Sequence, residues 1–309
     1  MKILLLGSNG KLGSSLFRIL SKKHKVIGFD KSQFNLSNSY AKYQTLKQYK
    51  PEIIINTAAY TNVVGAEENK KYALEVNSDS LRNLSEFASE LNCTLIHFST
   101  DYVFDGNKKS PYLERDIATP LNYYGFSKLC GEKNIKKSNC KFLIFRISTL
   151  LGGYKNNIVY KILEIAEQKK SLKMVEDQLF TPTTTEFIAE NIDRILDIEI
   201  YNNFPLNEIY HLSPFGGISP YKLSIKLFKN FNKVIKCEYF DQNLISPILL
   251  SEYKSIVKRP KNCILDSSKL YNSLNLKHEI WEKMFDNFSN KIILEFIREK
   301  GIKISKNKK

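Results

Sequence analysis

Apolar stretches alternate with amphipathic ones through the first 150 residues, and this alternation limits the folds open to the chain. KILLLG, PEIIIN, TLIHFS and KFLIFR are apolar almost throughout, with helical periodicity between them, including a long amphipathic helix at about 68–91. Strands without polar alternation are typical of a parallel sheet that helices cover on both faces. Because crossovers between parallel strands are right-handed, the pattern predicts an α/β fold of Rossmann type with a doubly wound parallel sheet.

The alternation of predicted strands and helices becomes less regular after about residue 150, where helices and loops are more frequent than apolar strands. We therefore expect a nucleotide-binding Rossmann domain at 1–150, with parts of 170–215 packing back on it. The remainder, 151–309, is expected to form mainly a smaller C-terminal α+β substrate domain. It ends in a basic tail at 303–309.

The net charge of +15 comes from lysines spread over the whole chain. A surface that follows a phosphate backbone concentrates its charge, so a solvated surface is favoured and nucleic acid is not expected as a partner. The five cysteines lack CxxC spacing and the four histidines lack ligand spacing, which predicts a cytoplasmic protein with reduced thiols and no metal site. No apolar run reaches the roughly 18 residues of a membrane span, and the N-terminus is typical of a buried strand, not of a signal peptide.

A glycine-rich turn, GSNGKLG, follows the first strand and opens the first helix. Gly7 allows a tight turn, Gly10 lets the backbone approach a pyrophosphate, and Gly13 allows close packing of helix on sheet. The helix N-terminus offers free N–H groups and a positive dipole to phosphates. At this place in a parallel-sheet protein, the turn predicts a dinucleotide site.

Asp30 ends the second strand, about twenty residues after the glycines, where a carboxylate can bond the hydroxyls of an adenosine ribose. This position favours NADH over NADPH, since a 2′-phosphate would meet the carboxylate. Lys31 beside it weakens the preference. Asp30 as an ordinary turn residue remains the alternative.

Tyr124 and Lys128 lie one helical turn apart, after a strand that ends in Ser99, Thr100 and Asp101. The carboxyl ends of strands form the ligand edge of an open α/β sheet, so we expect these side chains to meet there. Reducing a ketone requires a proton at oxygen, and the cation of Lys128 would favour the phenolate of Tyr124. Thr100 can hydrogen-bond the substrate oxygen.

The same spacing recurs at Tyr43 and Lys47, so spacing alone does not identify a catalytic pair. With 17 tyrosines in a lysine-rich chain, about two such pairs are expected by chance. Tyr43 and Lys47 precede the third strand and have no comparable route to the ligand edge. We interpret them as an exposed pair on a helix near 40–48.

Several stretches together resemble the extended short-chain dehydrogenase/reductase superfamily and, within it, the dTDP-4-dehydrorhamnose reductase family. These stretches are GSNGKLG, NTAAYTNV, STDYVFDG, PLNYYGFSKLCGE, FRIS, VEDQLFTPT and KRPKNCILD. The resemblance implies reduction of the 4-keto group of a nucleotide-linked 6-deoxysugar by NADPH or NADH. It makes dTDP-4-dehydro-L-rhamnose the best guess for the substrate and leaves a homodimer open.

The resemblance also assigns roles by position. Thr100, Tyr124 and Lys128 would be catalytic, with Tyr124 the proton donor. The residues implied for coenzyme binding are Gly7, Asn9, Gly10, Lys11, Leu12, Asp30, Asn35, Leu36, Ala59, Tyr60, Thr61, Phe98, Tyr124 and Lys128. The residues implied for substrate binding are Thr100, Asp101, Tyr102, Thr149, Asn157 and Arg259. The planar fork of Arg259 suits a diphosphate, and an ordinary surface cation is the alternative.

The chain departs from the family pattern at several positions. The family usually has Trp where Thr149 stands, Asp at Val64, Gly at Phe180 and Trp at Pro220. Ser15 stands where some members have an acidic residue that joins a magnesium-bridged dimer. We expect the departures to cluster near the sugar site, so the substrate is less constrained than the reaction type.

Two alternative functions therefore stay open. The chain could reduce or epimerise a different nucleotide sugar, which the exchange at Thr149 and Val64 suggests. It could also be a non-catalytic NAD(P)-binding subunit that regulates a partner, against which the retained Tyr124, Lys128 and Thr100 argue.

Overall fold

A six-stranded parallel sheet forms the centre of the protein in the computed structural model, which describes residues 1–37, 43–155 and 157–304. The strands are β1 (Lys2–Leu6), β2 (Lys25–Phe29), β3 (Ile53–Asn56), β4 (Thr94–Thr100), β5 (Lys141–Ile147), β6 (Leu150–Leu151), β7 (Leu172–Val175), β8 (Thr183–Thr184), β9 (Glu208–His211) and β10 (Ile245–Ile248). The central sheet has the order β2-β1-β3-β4-β5-β9, and all neighbours are parallel. The strand order reverses between β1 and β3, which places the ligand crevice at the carboxyl ends of these strands.

Helices connect the strands and cover both faces of the sheet. They are α1 (Lys11–Leu20), α2 (Val63–Glu68), α3 (Lys70–Leu74), α4 (Ser80–Glu90), α5 (Tyr123–Lys137), α6 (Ile158–Glu167), α7 (Thr185–Ile195), α8 (Ile198–Tyr201), α9 (Pro220–Ile235), α10 (Ser268–Ser273) and α11 (Trp281–Lys300). The helix predicted at 68–91 is interrupted, because a π-helical turn at Glu75–Asp79 joins α3 to α4. Short 3₁₀ turns lie at Thr45–Tyr49, Asp101–Val103, Gln242–Leu244 and Leu250–Glu252.

The central strands are apolar throughout because each face of the sheet has its own core. Along β1, Ile3 and Leu5 pack with α1 and α7, whereas Leu4 and Leu6 pack on the other face with α4. Successive strand residues point to opposite faces, so both sets are buried. The doubly wound α/β sheet expected from the sequence is confirmed.

Residues after 150 contribute to both halves of the molecule. Strand β9 completes the sheet beside β5, and α7 packs on α1, where the Ser15 hydroxyl donates to Thr185 Oγ1 at 2.8 Å. A separate apolar core joins α6, α9 and α11 and includes Phe228, Phe285 and Phe296. Two-stranded parallel sheets, β7 with β10 and β6 with β8, accompany this second core. The domain boundary at 150 stays a prediction.

The segment 258–266, which we term the strap, hydrogen-bonds both halves. The Asn262 amide donates to Gly106 O, in the loop after β4, at 3.2 Å. The Cys263 amide donates to Leu179 O, beside the second core, at 2.8 Å. The strap therefore joins the loop after β4 to the second half of the chain.

Tyr43 corrects one expectation from the sequence. Its ring is fully buried, and its hydroxyl donates to Leu36 O at 2.9 Å. The interpretation of Tyr43 and Lys47 as an exposed pair was therefore wrong for the tyrosine, which packs under the sheet. Of the predicted basic tail, residues 305–309 lie outside the described residues. Within the described ranges, no helix combines the length and the apolarity needed to cross a membrane.

Candidate active site

A cleft of about 620 Å³ opens at the carboxyl ends of the central strands, where the strand order predicts a ligand site. The cleft brings together most of the residues singled out in the sequence. These are Gly7, Asn9, Gly10, Lys11, Leu12, Asn35, Leu36, Ala59, Tyr60, Thr61, Phe98, Thr100, Asp101, Tyr102, Tyr124, Lys128 and Thr149. Asp30, Asn157 and Arg259 do not line it.

The glycine turn lies at the β1 end of the cleft and is shaped to receive phosphate. Gly7 has a φ of +82°, which favours glycine, and Gly10 caps α1 without a side chain. A Cβ at Gly13 would lie 2.0 Å from Gly7 O, so helix and turn can approach this closely only with glycine there. First-turn amides of a helix have no helical acceptor, and Lys11, Leu12 and Gly13 of this turn line the cleft.

The side chain of Asp30 hydrogen-bonds within the turn that follows β2. Its Oδ1 accepts from the Ser32 amide at 2.8 Å, the Ser32 hydroxyl at 2.6 Å and the Gln33 amide at 3.1 Å. These hydrogen bonds lower the pKa of the carboxyl. Asn9 Nδ2 donates to the other oxygen at 3.4 Å. Asp30 therefore acts as a turn residue in this structure. A hydrogen bond to ribose stays a prediction, and Oδ2 would be the oxygen that accepts it, since Oδ1 already accepts three.

Thr100 and Asp101 form a hydrogen-bonded group where β4 ends. The Thr100 hydroxyl donates to Asp101 Oδ1 at 3.0 Å, and the Ser148 hydroxyl donates to Oδ2 at 2.8 Å. Asp101 is only 4% exposed. Burial raises the pKa of its carboxyl to about 6, although these hydrogen bonds act in the opposite direction. The cleft thus holds a carboxyl group that titrates near neutral pH.

Tyr124 lies in the first turn of α5, with its ring edge toward Tyr102. Burial, and secondarily the charge of Asp101, raise the pKa of Tyr124 to about 12, while hydrogen bonding to Thr100 acts against them. The phenol therefore keeps its proton at neutral pH, which suits a group that donates a proton.

Lys128 is buried in the cleft wall, where its side-chain nitrogen contacts strand β4. Its ammonium nitrogen lies 2.7 Å from Phe98 O and 3.1 Å from His97 Nε2, both on β4. Burial lowers the pKa of Lys128 to about 8, with Glu132 opposing the shift. The expectation that its charge favours the phenolate of Tyr124 stays a prediction.

Two asparagines support the site and were not identified from the sequence. Asn122 caps α5 by accepting from the Gly125 amide at 2.9 Å, and it donates to Lys258 O of the strap at 3.0 Å. Asn77, in the π turn, accepts from the Tyr60 amide at 2.8 Å. Asn before a helix is a known capping signal, so Asn122 could have been found. No sequence motif around Asn77 indicated that it would support the site.

Asn157 caps helix α6 and does not reach the cleft. Its Oδ1 accepts from the Tyr160 amide at 3.0 Å, and its Nδ2 donates to Gly153 O at 2.7 Å. Both ends of the side-chain amide are therefore engaged in local structure. The structure gives no support to its predicted role in substrate binding.

Arg259 lies in the strap, beside the cleft. Its guanidinium lies over the Tyr253 ring, 5.3 Å from the ring centroid. Burial raises the pKa of Tyr102, which lines the cleft, and the charge of Arg259 acts against this shift. Its Nε is buried and finds no hydrogen-bond partner among the described residues. A donor in this state has capacity for an anion, and the diphosphate role stays a prediction.

The departures from the family pattern do not cluster as expected. Thr149 lines the cleft, but Val64, Phe180 and Pro220 do not. Phe180 is buried in the second core, and Pro220 occupies the first turn of α9, where proline is favoured. Among these four positions, Thr149 is thus the one that lies in the cleft wall.

A doubly wound sheet with a glycine turn and a Thr–Tyr–Lys group at its carboxyl edge defines an extended short-chain dehydrogenase/reductase. The family model described as RmlD substrate binding domain matches residues 1–293. The chain belongs to this family.

Curated relatives and solved structures agree with this assignment. A dTDP-4-dehydrorhamnose reductase of Aggregatibacter actinomycetemcomitans is 33% identical over 290 residues, covering 93% of this chain and 97% of that protein. The Escherichia coli K12 protein of the same name is 32% identical over 287 residues, covering 91% and 95%. A dTDP-4-dehydrorhamnose reductase from Bacillus anthracis, solved in complex with NADP, superposes with a TM-score of 0.83 at 27% identity, covering 95% and 99%.

Proposed function

We propose that the protein uses NADPH or NADH to reduce the 4-keto group of dTDP-4-dehydro-L-rhamnose, which gives dTDP-L-rhamnose. The names of relatives that align over more than nine tenths of the chain support the substrate. The observation that carries the reaction type is the single cleft in which Thr100, Tyr124 and Lys128 lie beside the glycine turn.

The residues of the cleft fit a dinucleotide coenzyme, which supplies a hydride when it is bound. The first-turn amides of α1 and the cation of Lys11 would hold its phosphates. The pKa of Lys11 is lowered by burial and by the charge of Lys161. Lys31 lines the cleft and Asp30 does not, which suits a 2′-phosphate better than the sequence alone suggested.

Tyr124 is the proton donor in this mechanism. As the keto carbon accepts the hydride, the carbonyl oxygen takes the proton from the phenol of Tyr124. The hydroxyls of Ser99 and Thr100 line the same wall of the cleft. Ser99 Oγ is buried without a hydrogen-bond partner in the described part of the chain, so it is free to donate to the substrate oxygen.

The test is a coupled absorbance assay at the nicotinamide band with the dTDP-4-keto sugar. We expect turnover by the unmodified chain and a loss of about 100-fold or more in Tyr124→Phe, because the proton donor is removed. Tyr123→Phe is the matched control, since Tyr123 is the preceding residue and does not line the cleft. Equal turnover in all three proteins would exclude the mechanism.

A different nucleotide sugar is the second candidate, supported by Thr149 in the cleft wall. A panel of nucleotide-linked 4-keto sugars, with products identified by mass spectrometry, separates the two. Hydride transfer by the isolated chain to any of them would exclude a purely regulatory subunit. A homodimer stays a prediction, which light scattering tests.

A further inference from the structure

The carboxyl end of β2 forms the part of the cleft beside the glycine turn. The amides of Gly7 and Ser8 donate to the carbonyl oxygen of Phe29, the last residue of β2, at 2.8 Å and 3.0 Å. In a dinucleotide-binding fold, the residues that follow this strand reach the ribose of the adenosine half. A coenzyme with its phosphates at the glycine turn would therefore place its 2′-position near the residues after Phe29.

NADPH differs from NADH by one phosphate group at that 2′-position. A phosphate monoester carries a charge of about −1.5 to −2 at neutral pH, so the choice between the two coenzymes depends on the charges that face it. Among the described residues that line the cleft, Lys11 lies in the first turn of α1 and Lys128 contacts β4. Lys31, which also lines the cleft, follows β2 after a single intervening residue. Lys31 is thus the cation placed at the adenosine end.

The carboxylate of Asp30 is directed into the turn after β2 and does not line the cleft. Its Oδ1 accepts from the Ser32 amide, the Ser32 hydroxyl and the Gln33 amide. Three hydrogen-bond donors around one oxygen offset part of its negative potential, so it repels a neighbouring anion less. At this end of the cleft, the acidic group is therefore held in its own turn, while the cation of Lys31 reaches the cleft.

Tyr72 orients the ammonium group of Lys31. Lys31 Nζ donates to Tyr72 Oη at 3.2 Å and lies 5.8 Å from the centroid of the Tyr72 ring. Tyr72 lines the cleft as well. Because the partner is a hydroxyl group and not a carboxylate, the contact orients the ammonium group without cancelling its charge. An ammonium group has three N–H donors, so two remain for an anion.

Tyr72 is itself fixed to the wall of the cleft. Its amide donates to Oδ1 of Asn69, the residue that caps α3, at 3.1 Å. Its ring meets the Tyr60 ring edge-on, with the two centroids 5.1 Å apart, and the Asn77 side chain bonds the Tyr60 backbone. A lysine side chain has many rotamers, and a fixed partner reduces the entropy that Lys31 would lose on binding an anion.

We propose that Lys31, oriented by Tyr72, selects NADPH over NADH by binding the 2′-phosphate. The proposal deepens the proposed reductase function, because it names the coenzyme and the residue that discriminates, and it rests on that function for its catalytic meaning. It reverses the preference for NADH that the position of Asp30 suggested in the sequence.

The first test measures coenzyme binding and needs no sugar substrate. Titrating the full-length protein with NADPH and with NADH, followed by nicotinamide fluorescence, gives the ratio of the two dissociation constants. We expect NADPH to bind about 10-fold more tightly, the equivalent of one charge-assisted hydrogen bond. Lys31→Ala should remove most of this ratio by weakening NADPH alone. Equal affinities in the unmodified protein, or an unchanged ratio in Lys31→Ala, would overturn the proposal.

Further variants separate the charge of Lys31 from its orientation. Lys31→Arg keeps a cation at this position and should keep a preference for NADPH. Tyr72→Phe keeps the ring but removes the hydroxyl that orients Lys31, so the ratio should fall by roughly 3-fold, less than in Lys31→Ala. Lys31 is exposed, so its variants should fold. A loss of the preference in Lys31→Arg as large as in Lys31→Ala would contradict binding through charge.

Lys70→Ala is the matched control. Lys70 lies on α3, two residues before Tyr72, and its Nζ lies 5.3 Å from the centroid of the Tyr123 ring, but it does not line the cleft. The ratio should be unchanged in this variant, and an equal loss would show that the positive charge of the whole surface acts, not Lys31.

The proposed function and the selection by Lys31 fail separately. If the protein binds NADPH preferentially through Lys31 but reduces no sugar in the absorbance assay, the reductase function fails and the selection stands. If the protein reduces the sugar and binds both coenzymes equally, the function stands and the selection by Lys31 is wrong.

Discussion

The carboxyl group of Asp101 is almost completely buried in the wall of the cleft. Its folded-state pKa is raised to about 6, mainly by burial, from an ordinary value of 3.8. The folded protein therefore binds this proton more tightly than the unfolded chain. The resulting contribution to stability is complete below the unfolded pKa and is lost as pH rises through about 6.

Asp101→Asn should therefore stabilise the protein increasingly as pH rises. Between pH 4 and pH 7.5, we expect the unfolding free energy of the variant relative to the parent to increase by on the order of 2–3 kcal/mol. Urea unfolding at a series of pH values measures this difference. Asp79→Asn, at an exposed carboxylate on the π turn, serves as control and should show no such trend. A pH-independent difference for Asp101→Asn would contradict the reasoning.

The π turn between α3 and α4 connects the loop that contains Tyr60 to helix α5. Asn77 accepts from the Tyr60 amide at 2.8 Å and donates to Tyr60 O and Ser127 Oγ, both at 3.0 Å. The extra residue of a π turn redirects a side chain out of helical register, and such turns are frequent at functional sites. Here the turn fixes the loop that contains Tyr60, which lines the cleft.

Asn77→Ala should weaken coenzyme binding. The Tyr60 backbone would lose both partners, and we expect the dissociation constant for NADPH to rise roughly 10-fold, the equivalent of one to two hydrogen bonds. Fluorescence titration with NADPH measures it. Asn134→Ala is the matched control, because Asn134 bonds Ser78 of the same turn at 2.9 Å, whereas Asn77 bonds the backbone of Tyr60. Equal losses of affinity in both variants would show that the turn acts only through stability.

Helix α5 packs against this turn so closely that one position requires glycine. A Cβ at Gly131 would lie 2.2 Å from Asn77 O. Gly131→Ala should destabilise the protein by roughly 1–3 kcal/mol through overpacking, although alanine is the better helix former. Denaturant midpoints measure the change. Lys133→Ala, on the exposed face of α5, should stay within about 0.5 kcal/mol. A stabilised Gly131→Ala variant would contradict the close packing.

At the scale of the molecule, the two halves are joined by the strap and by the return of β9 and α7 to the first half. Asn262 is 7% exposed, and its Nδ2 donates to Lys108 O at 2.8 Å and Ser110 O at 3.0 Å. Because the chain passes from the first half to the second and back through β9 and α7, and the strap hydrogen-bonds both halves, we expect the two halves to unfold together.

The protein should therefore unfold in a single transition. Scanning calorimetry should give equal calorimetric and van't Hoff enthalpies. Asn262→Ala, which leaves two carbonyls without their donor, should lower the midpoint without splitting the peak. Two separated transitions in the unmodified protein would show that the halves are independent.

The sequence was sufficient for the features that depend on local signals. Buried parallel strands must be apolar, and Gly7 and Gly13 occupy positions that exclude side chains, so the sheet and the tight glycine turn could be predicted. The orientation of Lys128 depends on its contact with His97, thirty-one residues away. The burial of Tyr43 and the capping role of Asn157 likewise depend on which chain segments meet. Periodicity does not contain that information, and these expectations failed or stayed open.

The sheet edge beside β5 is closed by β9, which begins about sixty residues after β5 ends. Ribosomes add ~5–20 residues per second, so on each nascent chain the outer edge of β5 waits for its partner for about 3–12 seconds. An unpaired edge is a template for pairing with a second chain. Neighbouring nascent chains on one messenger RNA are therefore most prone to pair with each other in this interval. We expect slower translation of residues 148–207 to reduce the yield of correctly folded protein.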